Sequence, residues 1–98
     1  MTISKTSDRS TYGHIHQTLD EAERARQAQL NQLPDFTGDL VLEAHRSAIE
    51  RILAEVRSAL TRLSSGSYGT CLGCMTQIPM ERLELRPWTA FCVACARA

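Results

Sequence analysis

The stretch Cys71-Leu72-Gly73-Cys74 is followed, after seventeen intervening residues, by Cys92-Val93-Ala94-Cys95. Two Cys-x-x-Cys pairs at this separation have the ligand spacing of a zinc site in which four thiolates surround one ion as a tetrahedron. Four sulfur ligands leave no open position for a substrate, so the spacing predicts one zinc ion with a structural role. The predicted ligands are Cys71, Cys74, Cys92 and Cys95.

Three other kinds of cysteine chemistry stay open as alternatives. A thioredoxin-like redox centre uses one Cys-x-x-Cys at a helix start in a βαβ unit, whereas this chain has two pairs and no such unit. Two disulfides suit secreted proteins, but residues 1–8 contain no apolar signal stretch. Iron also accepts four cysteine ligands. Zinc is the ion that the pattern favours.

Composition limits the classes of partner. The 98 residues carry 11 Lys and Arg against 11 Asp and Glu, so the formal net charge is zero. A general nucleic-acid binder would normally show a basic stripe, and the positions inside the two cysteine pairs carry no cation, which disfavours direct sequence-specific DNA binding. No apolar run approaches 18 residues, so no membrane span is predicted. We expect a soluble, cytoplasmic protein in a reducing compartment.

The first part of the chain has the pattern of a polar tail followed by a weak helix. Residues 1–10 are polar and rich in Ser and Thr, and we predict that they are disordered. From residue 11 to 33 the apolar residues fall at helical spacing. The segment Pro34-Asp35-Phe36-Thr37-Gly38-Asp39 then predicts a turn, because it combines Pro, Gly and two Asp.

Residues 40–63 have the strongest helical pattern, and Asp39 before them is a suitable N-cap. A Gly stop follows at Gly66. The predicted apolar stripe, which steps by three or four residues, is Leu42, His45, Ile49, Ile52, Val56, Ala59 and Leu63, and Leu53 and Leu60 widen it. His45 is therefore expected to be half-buried in this stripe.

Two helices joined by a short turn must run antiparallel and bury their stripes against each other. The predicted fold class is mostly α: an antiparallel two-helix coiled-coil hairpin followed by a small treble-cleft or ribbon-like zinc-finger module with four cysteine ligands. The predicted units are a disordered tail over 1–10, the hairpin over 11–64 with its tip at 34–39, and the zinc module over 65–98. Within the module, 78–83 predicts a short helical turn, and Trp88 and Phe91 are expected to pack against it.

The zinc module carries three stretches of a recognisable pattern, Gly66-Ser67-Tyr68-Gly69-Thr70-Cys71-x-x-Cys74, Ile78-Pro79-x-x-Arg82-Leu83-Glu84-x-Arg86-Pro87 and Cys92-x-x-Cys95. These residues resemble the DksA/TraR zinc-finger family. The resemblance covers residues 66–95 in detail, and the preceding hairpin agrees with the family architecture. The resemblance implies a non-enzymatic regulator that binds bacterial RNA polymerase. The hairpin would enter the secondary channel toward the active site, the finger would stay near the channel rim, and open promoter complexes would be destabilised, often together with ppGpp.

The resemblance also implies which residues contact the polymerase. In the best-studied branch the tip carries Asp-x-x-Asp, whereas this chain has Asp35 and Asp39 with three residues between them. Asp39 also suits the N-cap, and with Glu43 the two acids predict a negative tip without a nearby Lys or Arg. The predicted polymerase contacts are Asp35, Asp39, Arg82 and Arg86.

The family's ppGpp contacts are only partly present in this sequence. Arg86 corresponds to the finger arginine and is the one candidate for nucleotide binding. Glu55 and Ala96 stand where the family has lysines. A carboxylate at Glu55 repels an anionic nucleotide, so the sequence predicts that ppGpp synergy is weak or absent.

Two other functions differ in class from polymerase regulation. The first is a zinc-finger module that docks on another protein, with the hairpin as a spacer or dimerisation arm and no polymerase binding. The second is an enzyme, which the sequence disfavours because it contains no Cys/His nucleophile pair, open metal site or phosphate-binding glycine loop.

Overall fold

The computed structural model describes the backbone of residues 2–35 and 38–97 and the side chains of residues 12–35 and 38–97. The described part of the chain forms four helices, with an overall extent of 57 × 29 × 20 Å. The helices are α1 (Thr2–Gln32), α2 (Leu40–Ser65), α3 (Met80–Leu85) and α4 (Val93–Arg97). None of them combines the length and apolar character that crossing a membrane requires. The predicted fold class is confirmed.

Contacts between α1 and α2 show that the long helices run antiparallel. Arg57 Nε lies 2.9 Å from Glu23 Oε2 in the middle of the pair, and Arg57 also donates to the side chain of Gln27 at 3.0 Å. Nearer the tip, the Arg46 guanidinium donates to the carbonyl of Pro34. An earlier residue of α2 thus contacts a later residue of the first arm, which is the pattern of two antiparallel helices in a hairpin.

The beginning of α1 differs from the sequence prediction. The backbone is helical from Thr2 onward, including residues 2–10, for which the sequence predicts a disordered tail. No Gly or Pro occurs before Gly13, so nothing in this segment interrupts the helical hydrogen bonds. The predicted unit boundaries stay predictions. Residue 1 of the tail, residues 36 and 37 of the tip and residue 98 of the zinc module lie outside the described residues.

Both ends of α2 carry the caps that the sequence predicts. The Asp39 carboxylate accepts hydrogen bonds from the backbone N–H groups of Val41 and Leu42, at 2.8 and 3.3 Å. Gly66 has a φ of 84°, and its N–H donates to the carbonyl of Arg62. A left-handed residue at this position is favourable for glycine, which has no Cβ. The predictions of the N-cap and of the glycine stop are confirmed.

The buried stripe of α2 follows a slightly different path from the predicted one. Its buried apolar members are Ile49, Leu53, Val56 and Ala59. The prediction that His45 is half-buried is wrong: His45 is exposed, and Arg46 takes the half-buried step between Leu42 and Ile49. The stripe steps by four residues from Leu42 to Arg46 and by three from Arg46 to Ile49, which keeps it facing α1. His45 therefore lies to one side of the stripe and faces solvent.

The base of the hairpin and the zinc module share one hydrophobic core. Its buried members come from α1, α2, α3 and the segments between them, and Tyr68 also donates to the Pro87 carbonyl at 2.8 Å. The members are Ile15, Leu19, Val56, Ala59, Tyr68, Cys71, Ile78 and Leu83. Trp88 packs against this core as predicted. Phe91 is 42% exposed and lies beside Gly73 of the zinc module, outside the shared core.

Candidate metal centre

The first cysteine pair lies on a tight turn. The Cys71 N–H donates to the Thr76 carbonyl at 2.8 Å, and the Met75 N–H donates back to the Cys71 carbonyl at 2.9 Å. An antiparallel bridge between Thr70 and Gln77 closes the base of this turn. These bonds hold the sulfurs of the first pair on the inner side of a small loop.

The second cysteine pair begins α4 and is joined to the first pair through the backbone. The Leu72 N–H donates to the Ala90 carbonyl at 2.9 Å, which sets the two turns side by side. Gly73 allows the close approach, because a Cβ at this position would lie 2.9 Å from Cys95 Sγ. Any larger residue at Gly73 would push against a metal ligand.

The four sulfurs form a cluster of the right size for zinc. All four Sγ atoms lie within 4.8 Å of one another, and the Sγ atoms of Cys74 and Cys92 are 3.8 Å apart. A Zn–S distance of about 2.3 Å places the sulfurs of a tetrahedron about 3.8 Å apart. Four soft ligands and no open position suit one structural zinc ion, which confirms the sequence prediction.

Hydrogen bonds to sulfur prepare part of this ligand set for the metal. The N–H groups of Cys92 and Gly73 point at Cys71 Sγ, at 3.3 and 3.4 Å. They favour the thiolate, and chiefly the Cys92 N–H lowers the pKa of Cys71 to about 6. The hydroxyl of Thr76, 2.9 Å from Cys74 Sγ, likewise lowers the pKa of Cys74.

Cys95 behaves in the opposite way. Its thiol hydrogen-bonds to the other sulfurs, first of all to Cys71, and this raises the pKa of Cys95 to about 12. Cys71 therefore gives up its proton more readily than Cys95 does. Zinc must displace the Cys95 proton to complete its shell.

The tip of the hairpin brings the predicted acids together with a cation. Asp35 is exposed, and the Asp39 carboxylate caps α2. The expectation of a tip without a nearby Lys or Arg is wrong, because Arg46 donates to the Pro34 carbonyl. One long side chain from the second turn of α2 is enough to reach back over the connection.

A groove of about 440 Å³ lies between α2 and the zinc module. It brings together the three positions that the sequence analysis related to ppGpp, which are Glu55, Arg86 and Ala96. Arg82 also lines the groove, but its Nε donates to the Phe91 carbonyl at 2.9 Å. Arg86 is exposed.

Sequence reasoning missed Arg62, which lines the same groove. It is only 8% exposed, and it donates to Ser58 Oγ at 2.7 Å and to the Thr89 carbonyl at 3.4 Å. Burial lowers the pKa of Arg62. Its position next to the buried stripe of α2 could have indicated that Arg62 is buried. Arginine at such a position, however, normally extends its charged group to solvent.

Fold and site together define a class: a helical hairpin whose base is joined to a four-cysteine zinc finger. Residues 66–98 match the family described as the prokaryotic dksA/traR C4-type zinc finger. An uncharacterised protein of Aquifex aeolicus (strain VF5) is 43% identical over 44 residues, which are 45% of this chain and 30% of that protein. The match thus spans less than a third of that relative.

Two solved structures resemble the whole architecture. Transcription factor DksA2 from Pseudomonas aeruginosa aligns with a TM-score of 0.68 at 22% identity, over 92% of this chain and 83% of that one. The DnaK suppressor protein from Agrobacterium tumefaciens C58 aligns with a TM-score of 0.67 at 25% identity, over 87% and 90% of the two chains. Residues 66–98 thus carry a zinc finger of the dksA/traR type, and the fold of the chain resembles those of the two DksA-type structures.

Proposed function

We propose that this protein regulates transcription initiation by binding bacterial RNA polymerase through the secondary channel. The observation that carries the proposal is the separation of two features on one narrow molecule. The zinc finger lies at the base of the hairpin, and an exposed acid, Asp35, lies at the far tip. The dksA/traR-type zinc finger at residues 66–98 suggests the partner, and the architecture suits a part that enters a channel and a part that stays outside.

The dimensions of the hairpin support entry into a channel. α2 has 26 residues, which corresponds to about 39 Å at 1.5 Å per residue. A pair of packed helices is about 20 Å across. Such an arm can carry a few residues of the tip deep into an enclosed site while the finger, at the base, docks on the surface.

Within the tip, the two acids have different surroundings. The Asp39 carboxylate is engaged by the first turn of α2, at 2.8 Å from the Val41 N–H. Asp35 is exposed on the connection itself. We therefore assign to Asp35 the larger part of the action on the polymerase active site, with Asp39 forming the shape of the tip as well as contributing charge. A negative group suits approach to a basic wall or a metal-bearing site.

On the finger, Arg86 is the more accessible of the two predicted polymerase contacts. It is exposed at the edge of the groove, whereas Arg82 is half-buried and bonded to the finger's own backbone. A polymerase contact by Arg82 stays a prediction. Glu55 and Ala96 beside Arg86 leave one cation where the family's ppGpp contacts have three, so ppGpp synergy is proposed to be weak or absent.

The proposal needs no catalytic chemistry in this chain. The zinc ligands are all sulfur and surround the ion, which gives the metal a structural role. Regulation would come from contacts with the polymerase in the cytoplasm, where transcription takes place, and without direct recognition of a DNA sequence.

Binding to core RNA polymerase tests the proposal. The zinc-loaded protein would be titrated against bacterial core enzyme, with a secondary-channel transcript-cleavage factor as competitor. We expect saturable binding that the competitor displaces, and equal binding by Asp35→Asn. Binding that the competitor does not displace would place the protein elsewhere on the enzyme. No binding by a folded, zinc-loaded sample would favour the docking module with the hairpin as a spacer.

A further inference from the structure

A single peptide group in the zinc finger is hydrogen-bonded at both ends. The carbonyl of Phe91 accepts a bond of 2.9 Å from the Nε of Arg82. The amide of the same group, the Cys92 N–H, donates to Cys71 Sγ at 3.3 Å. Arg82 and Cys71 are therefore connected through one rigid unit, although neither touches the other.

The physical connection follows from the planarity of the peptide bond. The carbonyl and the N–H lie in one plane and point in opposite directions, so fixing the carbonyl also fixes the direction of the N–H. A permanently charged guanidinium at the carbonyl also polarises the amide and makes its N–H a stronger donor. Both effects act on the sulfur that receives the bond.

Arg82 is itself held in place. Its Nη2 lies 3.5 Å from Thr89 Oγ1, and that hydroxyl donates to the Phe91 carbonyl at 3.1 Å. The neighbouring Leu83 is fully buried in the common core. Arg82 thus reaches the peptide group from a helix that is itself held in the core. A side chain supported in this way can hold the peptide in one orientation.

We propose that Arg82 is a positioning residue of the zinc centre, which holds the Phe91–Cys92 peptide so that its N–H stabilises the Cys71 thiolate on the metal. In zinc proteins, replacing a residue that orients a metal ligand through hydrogen bonds typically weakens metal binding by about 10–100-fold. The role is separate from polymerase binding and holds whether or not the proposed function is correct.

The test compares Arg82→Met with Arg86→Met. Methionine keeps an unbranched stem and removes the donor, and Arg86, four residues away, is an exposed arginine on the same module. Zinc affinity would be measured by chelator competition and zinc loss by its release rate. We expect R82M to bind zinc about 10-fold or more weakly and R86M to match the wild type. R82K, which restores a charged donor, is expected to recover part of the loss.

A second readout separates this role from simple loss of stability. In the cobalt(II) form, thiolate-to-metal charge-transfer bands report on the sulfur ligands themselves. We expect these bands to shift in R82M and not in R86M, while the helical content of both metal-loaded variants stays that of the wild type. Equal zinc affinity and equal cobalt spectra for R82M and R86M would overturn the proposal. If R82M does not fold, faster zinc loss from R82K than from R86K is the required result.

Discussion

The guanidinium of Arg46, on the second turn of α2, donates a hydrogen bond to the carbonyl of Pro34 at the other side of the hairpin tip. This contact spans the connection between the long helices and lies directly before the exposed acid Asp35. At this position the apolar stripe of α2 has an arginine, and its guanidinium contacts the start of the tip.

Arg46→Met is expected to lower the free energy of unfolding by about 1 kcal/mol, because a half-exposed charged hydrogen bond is lost while the stem still packs. Urea denaturation followed by circular dichroism measures this value. Arg51→Met is the matched control, since Arg51 is an exposed arginine of the same helix. An equal effect of both substitutions would mean that the Pro34 contact does not stabilise the tip.

Substitution of Asp39 is expected to change mainly the stability of the protein, and substitution of Asp35 mainly its effect on transcription. Asp39→Ala removes an N-cap and should cost about 1 kcal/mol of stability, whereas Asp39→Ser keeps a capping oxygen and should recover most of it. Asp35→Asn should leave stability unchanged. On the proposed function, D35N should also strongly reduce inhibition of a promoter that forms unstable open complexes, while still binding polymerase.

Transcription assays with D39S complete this comparison. The variant keeps the cap and loses the charge, so nearly full inhibition by D39S together with little inhibition by D35N would assign the action to Asp35. Full activity of D35N would contradict that assignment, and the competition experiment with core polymerase would then show whether the channel is still the binding site.

Gly73→Ala is expected to weaken zinc binding by about 10–100-fold. The new Cβ would lie 2.9 Å from Cys95 Sγ and 3.2 Å from Cys95 Cβ, and forced overpacking of this size costs about 1–3 kcal/mol. Gly13→Ala is the control: no atom lies within 4 Å of a Cβ at that helical position, so this change should stabilise the protein by about 0.5–1 kcal/mol. Chelator competition and thermal melting check the two results.

Zinc binding should depend on pH in two ranges. Cys71 has a pKa lowered to about 6, so it is a thiolate above that pH and takes up a proton as the pH falls through it. Below about pH 6 protons therefore compete for one more ligand, and zinc affinity should fall more steeply. At neutral pH, Cys95, with its pKa raised to about 12, should release its proton when the metal binds.

Calorimetry in buffers with different ionisation enthalpies counts that proton, and chelator competition between about pH 5 and about pH 8 follows the affinity. A zinc affinity with the same slope on both sides of pH 6 would be inconsistent with a preformed Cys71 thiolate. Absence of proton release at neutral pH would show that Cys95 is already ionised.

Local patterns in the sequence predicted much of this structure, because each depends on residues close together in the chain. The cysteine spacing indicated the metal site, and Asp39 and Gly66 marked the ends of α2. Contacts between distant segments were not predictable in the same way. The outward rotation of His45 depends on how α1 lies against α2, and the inward position of Arg62 depends on the Thr89 carbonyl of the finger.

Cys71 belongs both to the metal shell and to the buried core that joins the finger to the hairpin. This core includes Val56 of α2, and the part of α2 from there to Leu40 at the tip is about 24 Å long at 1.5 Å per residue. A tilt of about 10° between this core and the hairpin would move the tip by about 4 Å at that length. The packing of Cys71 in the core therefore decides where the hairpin carries Asp35, although the two residues lie at opposite ends of the molecule.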